Sequence, residues 1–180
     1  RIPRPKPYAP YTVLHTLSEL TKGEANIVTD VGQNQMWTAQ YSDFERPRSL
    51  IPSGGLGAMG FGMGAAIGAA LGKPERKTVL ITGDGGFHMS LSELATLSRY
   101  NIPVVVIVMN NGVLGMVRQW QELFYNRNYS HTNMEAQPDF VKLAEAYGAQ
   151  GYRISKPEEL EDVLRKALTS PNPAFIDVMV

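Results

Sequence analysis

Two absences limit what this chain can do: it has no cysteine and no surplus of either charge. Without cysteine, disulfides, thiolate metal sites and cysteine nucleophiles are all excluded. Lysine plus arginine number 17 and aspartate plus glutamate number 17, so the formal net charge is zero. No basic excess indicates nucleic acid or an anionic membrane as a partner. The lack of cysteine agrees with a reducing compartment, so we expect a cytoplasmic protein, or a plastid or mitochondrial one in a eukaryote.

Histidine is also scarce, and His15, His88 and His131 are not spaced as a metal cluster. Charge is absent from residues 51–72, a length that alone would permit a membrane span. The many glycines of this stretch supply little transfer energy, and Pro52 stands near its start. We therefore expect a buried, close-packed helix of a soluble domain there.

The 180 residues, 43% of them hydrophobic, are enough for one domain with a substantial core. The chain begins at Arg1, and its start is rich in proline and arginine without the apolar run of a signal peptide. We interpret residues 1–9 as the remnant of an interdomain linker and residues 10–180 as one domain of a longer protein. A small protein with a processed start is the alternative.

Apolar spacing predicts helices and strands that alternate along the chain. Helices are expected over residues 10–21, 36–41, 59–71, from the glycines after residue 83 to about 100, over 116–124 and 138–147, and up to about 168. Strands are expected over residues 26–30, 78–82, 104–108, 152–154 and 175–180. Ser155 to Glu158 has the pattern of a capping box for the last helix. The alternation predicts a three-layer α/β fold, with a mainly parallel sheet and helices on both faces.

One predicted strand–helix–strand unit carries polar residues at both strand ends. The Gly-Asp-Gly-Gly segment 83–86 follows the first strand, and Asn110 and Asn111 follow the next. Neighbouring parallel strands lie about 5 Å apart, so their tips can share one small ion. Carboxylate and amide oxygens are hard ligands that suit Mg²⁺. The glycines let a phosphate approach the backbone N–H groups closely.

This pattern resembles the signature of thiamine-diphosphate enzymes, in which Gly-Asp-Gly is followed at this spacing by Asn-Asn. The resemblance implies that Asp84 and Asn111 hold Mg²⁺ on the diphosphate of the cofactor. It implies a third ligand in the backbone carbonyl of Val113. For Asn110 we expect a structural role.

A second glycine motif points to a different cofactor. Residues 55–60 match the G-x-G-x-x-G fingerprint and open a predicted helix, which taken alone suggests NAD or FAD. The segment before it, residues 49–53, contains a proline and reads as barely a strand. The fingerprint also needs an acid at the end of the next strand, but Glu75 lies in the turn before that strand. We therefore do not assign a nicotinamide dehydrogenase.

Flanking segments narrow the resemblance to the large subunit of acetohydroxyacid synthase (acetolactate synthase). The similar segments are residues 31–37, 53–60, 115–120 and 138–148, with the stretches around 124–125 and 129–131. The match runs from about residue 10 to the end. It covers only the C-terminal, thiamine-diphosphate-binding domain of that family.

The resemblance implies a set of cofactor-binding residues. They are Gly32, Gln33, Asn34, Gly57, Met59, Gly83, Gly85, Gly86, Met89 and Met116. The first three match the turn that holds the diphosphate, although most relatives have His at the position of Asn34; an amide can still donate a hydrogen bond. Gly57 matches the residue whose carbonyl accepts the exocyclic amine, and Met59 the bulky residue that bends the cofactor into a V. The glycines of segment 83–86 match the phosphate turn, and Met89 is expected near the pyrimidine.

Residues 112–137 form a long, aromatic-rich connection of the kind that often serves as a lid. The resemblance implies that Met116 and Trp120 lie in this lid and shape the pocket for a second keto acid. Simpler roles stay open, because the methionines can fill gaps in a core. Trp120 and Phe124 can equally form an ordinary packing pair on a helix.

The resemblance also implies an activity. The family joins pyruvate to a second 2-keto acid, a thiamine-diphosphate-dependent transfer in branched-chain amino acid biosynthesis. No catalytic side chain is expected in this chain, because the activating glutamate lies on a separate N-terminal domain, usually of the partner subunit. A missing middle domain would hold FAD. We expect a dimer or tetramer, a possible regulatory small subunit, and an isolated chain that binds cofactor weakly and is inactive.

Two alternatives remain. One is another thiamine-diphosphate enzyme, namely pyruvate oxidase, glyoxylate carboligase or sulfoacetaldehyde acetyltransferase, against which residues 115–120 argue by resemblance. The other is a non-catalytic module whose glycine-smooth helix serves only assembly.

Overall fold

The computed structural model describes residues 9–134 and 136–180. The linker predicted for residues 1–9 therefore lies, apart from Ala9, outside the described residues. Within the described part of the chain, no helix has the length and hydrophobicity that crossing a membrane requires.

Six parallel strands form a single sheet, in the spatial order β2-β1-β3-β4-β6-β5. The strands are β1 (Asn26–Thr29), β2 (Leu50–Pro52), β3 (Thr78–Gly83), β4 (Val104–Asn110), β5 (Gln150–Ile154) and β6 (Ala174–Met179). The central strands are buried on both faces, which is why they read as continuous apolar runs instead of alternating ones. In β3, for example, Val79 and Ile81 belong to one core cluster and Leu80 to the other.

The helices cover both faces of this sheet. They are α1 (Pro10–Thr21), α2 (Gln33–Tyr41), α3 (Phe61–Gly72), α4 (Asp84–Ser90), α5 (Leu94–Arg99), α6 (Gly115–Phe124), α7 (Phe140–Ala146) and α8 (Leu160–Thr169). Side chains of α1, α2 and α8 join one core cluster, and those of α3, α4, α5 and α7 join the other. The three-layer α/β fold with a parallel sheet is thereby confirmed. Helix α6 differs, because none of its residues is buried.

Several local predictions need correction. Leu50–Pro52 is a strand after all: the proline is tolerated because β2 lies at the edge of the sheet. The helix expected between residue 83 and about 100 is broken by a 3-10 turn at Leu91–Glu93. The capping interaction of the last helical segment uses Glu159 and not Glu158, since its carboxylate accepts the N–H groups of Ser155 and Lys156 at 3.0 and 3.1 Å.

Strand order reverses direction between β1 and β3. From β1 the chain moves outward to β2, and from β3 it moves the other way to β4. Such a switch point opens a crevice at the carboxyl ends of the strands, where ligands of α/β proteins commonly bind. Asp30 follows β1 and Asp84 follows β3, so both acids lie at this edge.

Candidate functional site

A cavity of about 500 Å³ lies at the carboxyl ends of the central strands. It is lined by all but one of the residues that the sequence proposed for the site. Those residues are Gly32, Gln33, Asn34, Gly57, Met59, Gly83, Asp84, Gly85, Gly86, Asn111, Val113, Met116 and Trp120. Residues from five separate stretches of the chain therefore meet in one concave space.

Met89 is the exception, since it does not line the cavity. Its side chain is 59% exposed. It lies beside the loop before α3, where a Cβ built on Gly60 would stand 3.0 Å from the Met89 Cβ. Met89 therefore borders the Met59 loop from the side of α4.

Asp84 is a buried carboxylate directly after the carboxyl end of β3. It is only 2% exposed and accepts hydrogen bonds from the N–H groups of Gly85 (3.0 Å) and Gly112 (2.9 Å) and from Gln137 Nε2 (2.5 Å). Burial raises the pKa of Asp84 above its usual range, although these hydrogen bonds partly offset the effect. All three donors are neutral, so none of them compensates the negative charge of the ionised carboxylate. A cation bound at this position would do so and would favour the ionised form.

Asn111 lies at the tip of the neighbouring strand. Its Oδ1 accepts the N–H of Val113 at 3.1 Å, and its Nδ2 donates to Gln33 Oε1 at 3.3 Å. Between Asn111 and Val113, Gly112 has φ +70°, a conformation that favours glycine, and this bend brings its N–H onto Asp84. The carboxylate and the carboxamide are thus joined through one short loop at adjacent strand ends.

Asn34 provides a second polar group inside the cavity. Its side chain is 3% exposed, and its Oδ1 has no hydrogen-bond partner among the described residues. A Cβ on Gly83 would lie 3.2 Å from Asn34 Nδ2, so glycine lets this amide approach the end of β3. A buried amide oxygen without a partner is costly unless a ligand or water satisfies it.

The loop that carries Gly57 and Met59 is held by an acid that sequence reasoning overlooked. Asp30 is 1% exposed and accepts the N–H groups of Gly60 and Gly62, both at 3.0 Å. These N–H groups stand at the start of α3, so Asp30 caps that helix from a different strand. Met59 is consequently placed over the cavity, 37% exposed.

The lid predicted from the sequence is a helix followed by a closed loop. In α6, Met116 and Trp120 line the cavity, and Trp120 packs edge-on against Phe124 with ring centroids 6.1 Å apart. Both aromatic rings are more than half exposed, so the pair does not belong to a core. The loop after α6 returns to the site through a bridge between Val113 and Asn133.

Comparison with known proteins identifies the family. Residues 30–178 match the family model described as thiamine pyrophosphate enzyme, C-terminal TPP binding domain. The chain belongs to this family. Thiamine pyrophosphate, that is, thiamine diphosphate, is therefore the cofactor class for which the domain is built.

Relatives of the thiamine pyrophosphate domain confirm the narrower resemblance. The chain is 48% identical over 174 residues to the acetolactate synthase large subunit of Buchnera aphidicola subsp. Acyrthosiphon pisum and to the isozyme 3 large subunit of Escherichia coli. It is 47% identical over 171 residues to the acetolactate synthase large subunit of Lactococcus lactis. These matches take in 95% of this chain but only 30% of each relative, so the relatives contain much that this chain does not.

Within this thiamine pyrophosphate domain, the structure adds residues that the sequence analysis did not single out as site residues. The additional lining residues are Val31, Trp37, Met109, Leu114, Gly115, Val117, Gln121 and Tyr125. Val31, Trp37, Gly115, Val117 and Tyr125 stood inside segments that carried the resemblance, so a signal for them existed. Gln137 and Asp30 had none, because their contacts join segments far apart in the chain.

Proposed function

We propose that this chain binds thiamine diphosphate and Mg²⁺ for a carboligase that condenses pyruvate with a second 2-keto acid to an acetohydroxy acid. The observation that carries the proposal is the buried carboxylate of Asp84 beside Asn111 at the rim of the cavity. The names of the relatives, acetolactate synthase large subunits, support the choice of reaction and its place in branched-chain amino acid biosynthesis.

The donor set fits a small, hard cation. Asp84 would supply a carboxylate oxygen, Asn111 an amide oxygen and Val113 its backbone carbonyl, and Mg²⁺ accepts few protein oxygens together with phosphate oxygens and waters. No cluster of three or more His, Cys, Asp or Glu side chains that could hold a metal occurs in residues 9–134 and 136–180. Diphosphate oxygens would therefore complete the coordination, which ties cation and cofactor together.

When bound, thiamine diphosphate supplies the nucleophilic carbon and the electron sink of the reaction. The residues of this chain bind and orient it. The glycines of segment 83–86 and the amide of Asn34 would receive the diphosphate end. Gly57 and Met59 would hold the ring end in its bent form, and Met116 and Trp120 would exclude water above it.

Other parts of the proposal concern what lies beyond this chain. The relatives are about three times as long, which supports further domains, among them the one with the activating glutamate and the one that would hold FAD. A dimer or tetramer, a regulatory small subunit and a cytoplasmic location are parts of the same proposal.

Calorimetry tests the cofactor site. Thiamine diphosphate is titrated into the intact protein at saturating Mg²⁺, for wild type, for Asp84→Ala and for Asp43→Ala, an exposed aspartate that serves as the control. We expect Asp84→Ala to weaken binding at least about a hundredfold, since it removes a charged metal ligand (~2.7 kcal/mol). Equal heats from wild type and Asp84→Ala would instead favour a module used only for assembly.

Product analysis tests the reaction. The intact protein is supplied with pyruvate alone and with pyruvate plus 2-ketobutyrate. Acetolactate in the first case and a mixed acetohydroxy acid in the second are expected. Acetyl phosphate or acetate as the main product would support a pyruvate oxidase instead.

A further inference from the structure

Three side-chain amides form a hydrogen-bonded series that begins at the proposed cation site. Asn111 Nδ2 donates to Gln33 Oε1 at 3.3 Å, and Gln33 Nε2 donates to Gln119 Oε1 at 2.9 Å. The three residues belong to different parts of the fold: the tip of β4, the first turn of α2 and the middle of α6. The series therefore connects the proposed cation ligand with the helix that covers the cavity.

Gly115 leaves the space through which this series runs. A Cβ built at this position would overlap Gln33 Oε1 and would lie 2.8 Å from Asn111 Nδ2. Glycine at the start of α6 thus lets the helix rest directly on the two amides. Any larger residue would push either the helix or the amides out of place.

Helix α6 depends on such polar contacts for its position. None of its residues is buried, so the apolar packing that fixes the other helices is weak here. Gln121 ties α6 to the loop that follows it, through Ser130 and Thr132. Among the described residues, the hydrogen bond between Gln33 and Gln119 joins α6 to α2 directly.

The series also orients the proposed ligand. A primary amide has one donor end and one acceptor end, so when Nδ2 of Asn111 faces Gln33, its Oδ1 faces the other way. A cation on Oδ1 polarises the amide and makes Nδ2 a stronger donor, which strengthens the next hydrogen bond in turn. Cation binding at Asn111 and the position of α6 are then coupled. Such coupling is reciprocal, so each affects the other.

We propose that Gln119 is a positioning residue: acting through Gln33, it couples α6, with Met116 and Trp120, to the cation ligand Asn111. In its metal part this rests on the proposed function. The coupling makes two predictions, that cation binding protects the backbone of α6 and that loss of the Gln119 acceptor weakens cation binding.

The experiment uses the intact protein with saturating thiamine diphosphate and Mn²⁺ as the probe. Free Mn²⁺ is counted by electron paramagnetic resonance, and hydrogen exchange of the peptide containing residues 115–124 is followed by mass spectrometry. The variants are Gln119→Leu, which removes the acceptor, and Gln119→Glu, which keeps an acceptor oxygen. Gln40→Leu, the same change at an exposed position of α2, is the matched control.

In wild type and Gln40→Leu, Mn²⁺ should slow exchange in α6. In Gln119→Leu we expect this protection to disappear and the Kd for Mn²⁺ to rise about threefold to tenfold, as expected for one hydrogen bond. Gln119→Glu should restore both properties. Gly115→Ala, which disturbs the same amides from the other side, should reproduce the loss.

Two results would overturn the inference: wild-type Mn²⁺ affinity with full α6 protection in Gln119→Leu, or wild type that binds Mn²⁺ without any change in α6. Absence of Mn²⁺ binding in wild type itself would overturn the proposed function, on which the inference rests. The two failures are therefore distinguishable in one set of measurements.

Discussion

Asp177 is a buried carboxylate with a charged partner, whereas the partners of Asp84 are neutral. Asp177 is 2% exposed on β6, where its carboxylate accepts from Asn110 Nδ2 at 3.1 Å and from Arg153 Nε at 3.3 Å. Asn110 therefore supports the sheet, which fits the structural role expected for it. Arg153 is partly exposed and also pairs with Asp139 at 2.7 Å, so this chain of polar contacts extends from Asp177 to the protein surface. Asp84 has neutral partners only and faces the cavity.

Burial raises the pKa of Asp177, and the hydrogen bond from Asn110 and the charge of Arg153 only partly offset this. Burial lowers the pKa of Arg153, but the hydrogen bonds and charges of Asp139 and Asp177 together outweigh it, so the pKa is raised. The environment thus favours the charged form of Arg153, whereas desolvation favours the neutral form of Asp177. Arg153 stays protonated at every pH relevant to folding.

We predict a pH-dependent stability difference between wild type and Asp177→Asn. Since the folded pKa of Asp177 is raised, its stabilising contribution is complete below about pH 3.9 and is lost as pH rises through the folded pKa. The free energy of unfolding of wild type minus that of the variant should therefore fall with rising pH, by at most about 1.4 kcal/mol per pH unit. Urea unfolding between pH 4 and 7 measures it.

Asp43→Asn, the same change at an exposed position, is the control for that series. A difference between wild type and Asp177→Asn that grows with pH would contradict the prediction. It would mean that the ion pair with Arg153 outweighs desolvation.

At the scale of residues, the sequence was enough to predict that Asp84 and Asn111 lie close together, and both line one cavity. Asp84 and Asn111 follow the ends of strands that runs of apolar residues predict. Their proximity then follows from the rule that parallel strands end at one edge of the sheet. Asp30 and Gln137 could not be found in this way. Their partners, Gly60 and Asp84, lie about thirty and fifty residues away, and no local pattern encodes such distances.

At the scale of elements, α3 illustrates how one helix is set on the sheet. Its N-cap residue, Gly60, has φ +85° and no side chain that could cap the helix. Asp30 replaces the missing cap, and it fits because Gly62 and Gly86 leave room: a Cβ on either would lie within 2.9 Å of its carboxylate. Gly62 and Gly86 thus allow the close approach of a buried acid. A Cβ built on Gly64, Gly68 or Gly72 would meet nothing within 4 Å, so the buried, close-packed helix expected from the sequence is buried on one face only.

We predict that Asp30→Ala destabilises the protein by about 3 kcal/mol, because it leaves three backbone N–H groups, those of Val31, Gly60 and Gly62, without their acceptor. The free energy of unfolding from urea titration measures the loss. Asp43→Ala, the exposed control, should stay within about 0.5 kcal/mol of wild type. A change of similar size in both variants would show that Asp30 does not hold α3.

Elements were predictable where hydrophobic periodicity was strong and less so where tertiary contacts decide. The central strands and α1 have nearly the predicted bounds, because their apolar pattern is unambiguous. β2 was missed because Pro52 argues against a strand, and only its place at the sheet edge removes the objection. The break between α4 and α5 has no proline or glycine to announce it.

At the scale of the whole molecule, large apolar side chains of α6 and of the loop before α3 are exposed to solvent. Trp120 is 58% exposed and Phe124 69%, and Leu56 of the loop before α3 is 96% exposed. Large apolar side chains around one cavity are the kind of surface that a partner usually covers. The relatives, of which this chain spans 30%, have further chain that could do so.

We therefore predict that chain 1–180 alone forms no acetolactate from pyruvate and binds thiamine diphosphate at least about tenfold more weakly than the intact protein (~1.4 kcal/mol). The physical reason is that this chain would supply the proposed Mg²⁺ ligands Asp84 and Asn111, whereas the proposed activating glutamate and the cover over the rings would lie elsewhere. Calorimetry and a colorimetric acetolactate assay, run on both forms at equal Mg²⁺, measure the two quantities.

Asp84→Ala in the isolated chain is the control that separates weak binding from none, since residual heat that this variant abolishes must come from the diphosphate site. Acetolactate formed by the isolated chain, and lost in Asp84→Ala, would contradict the prediction. The activating acid would then have to lie within these residues.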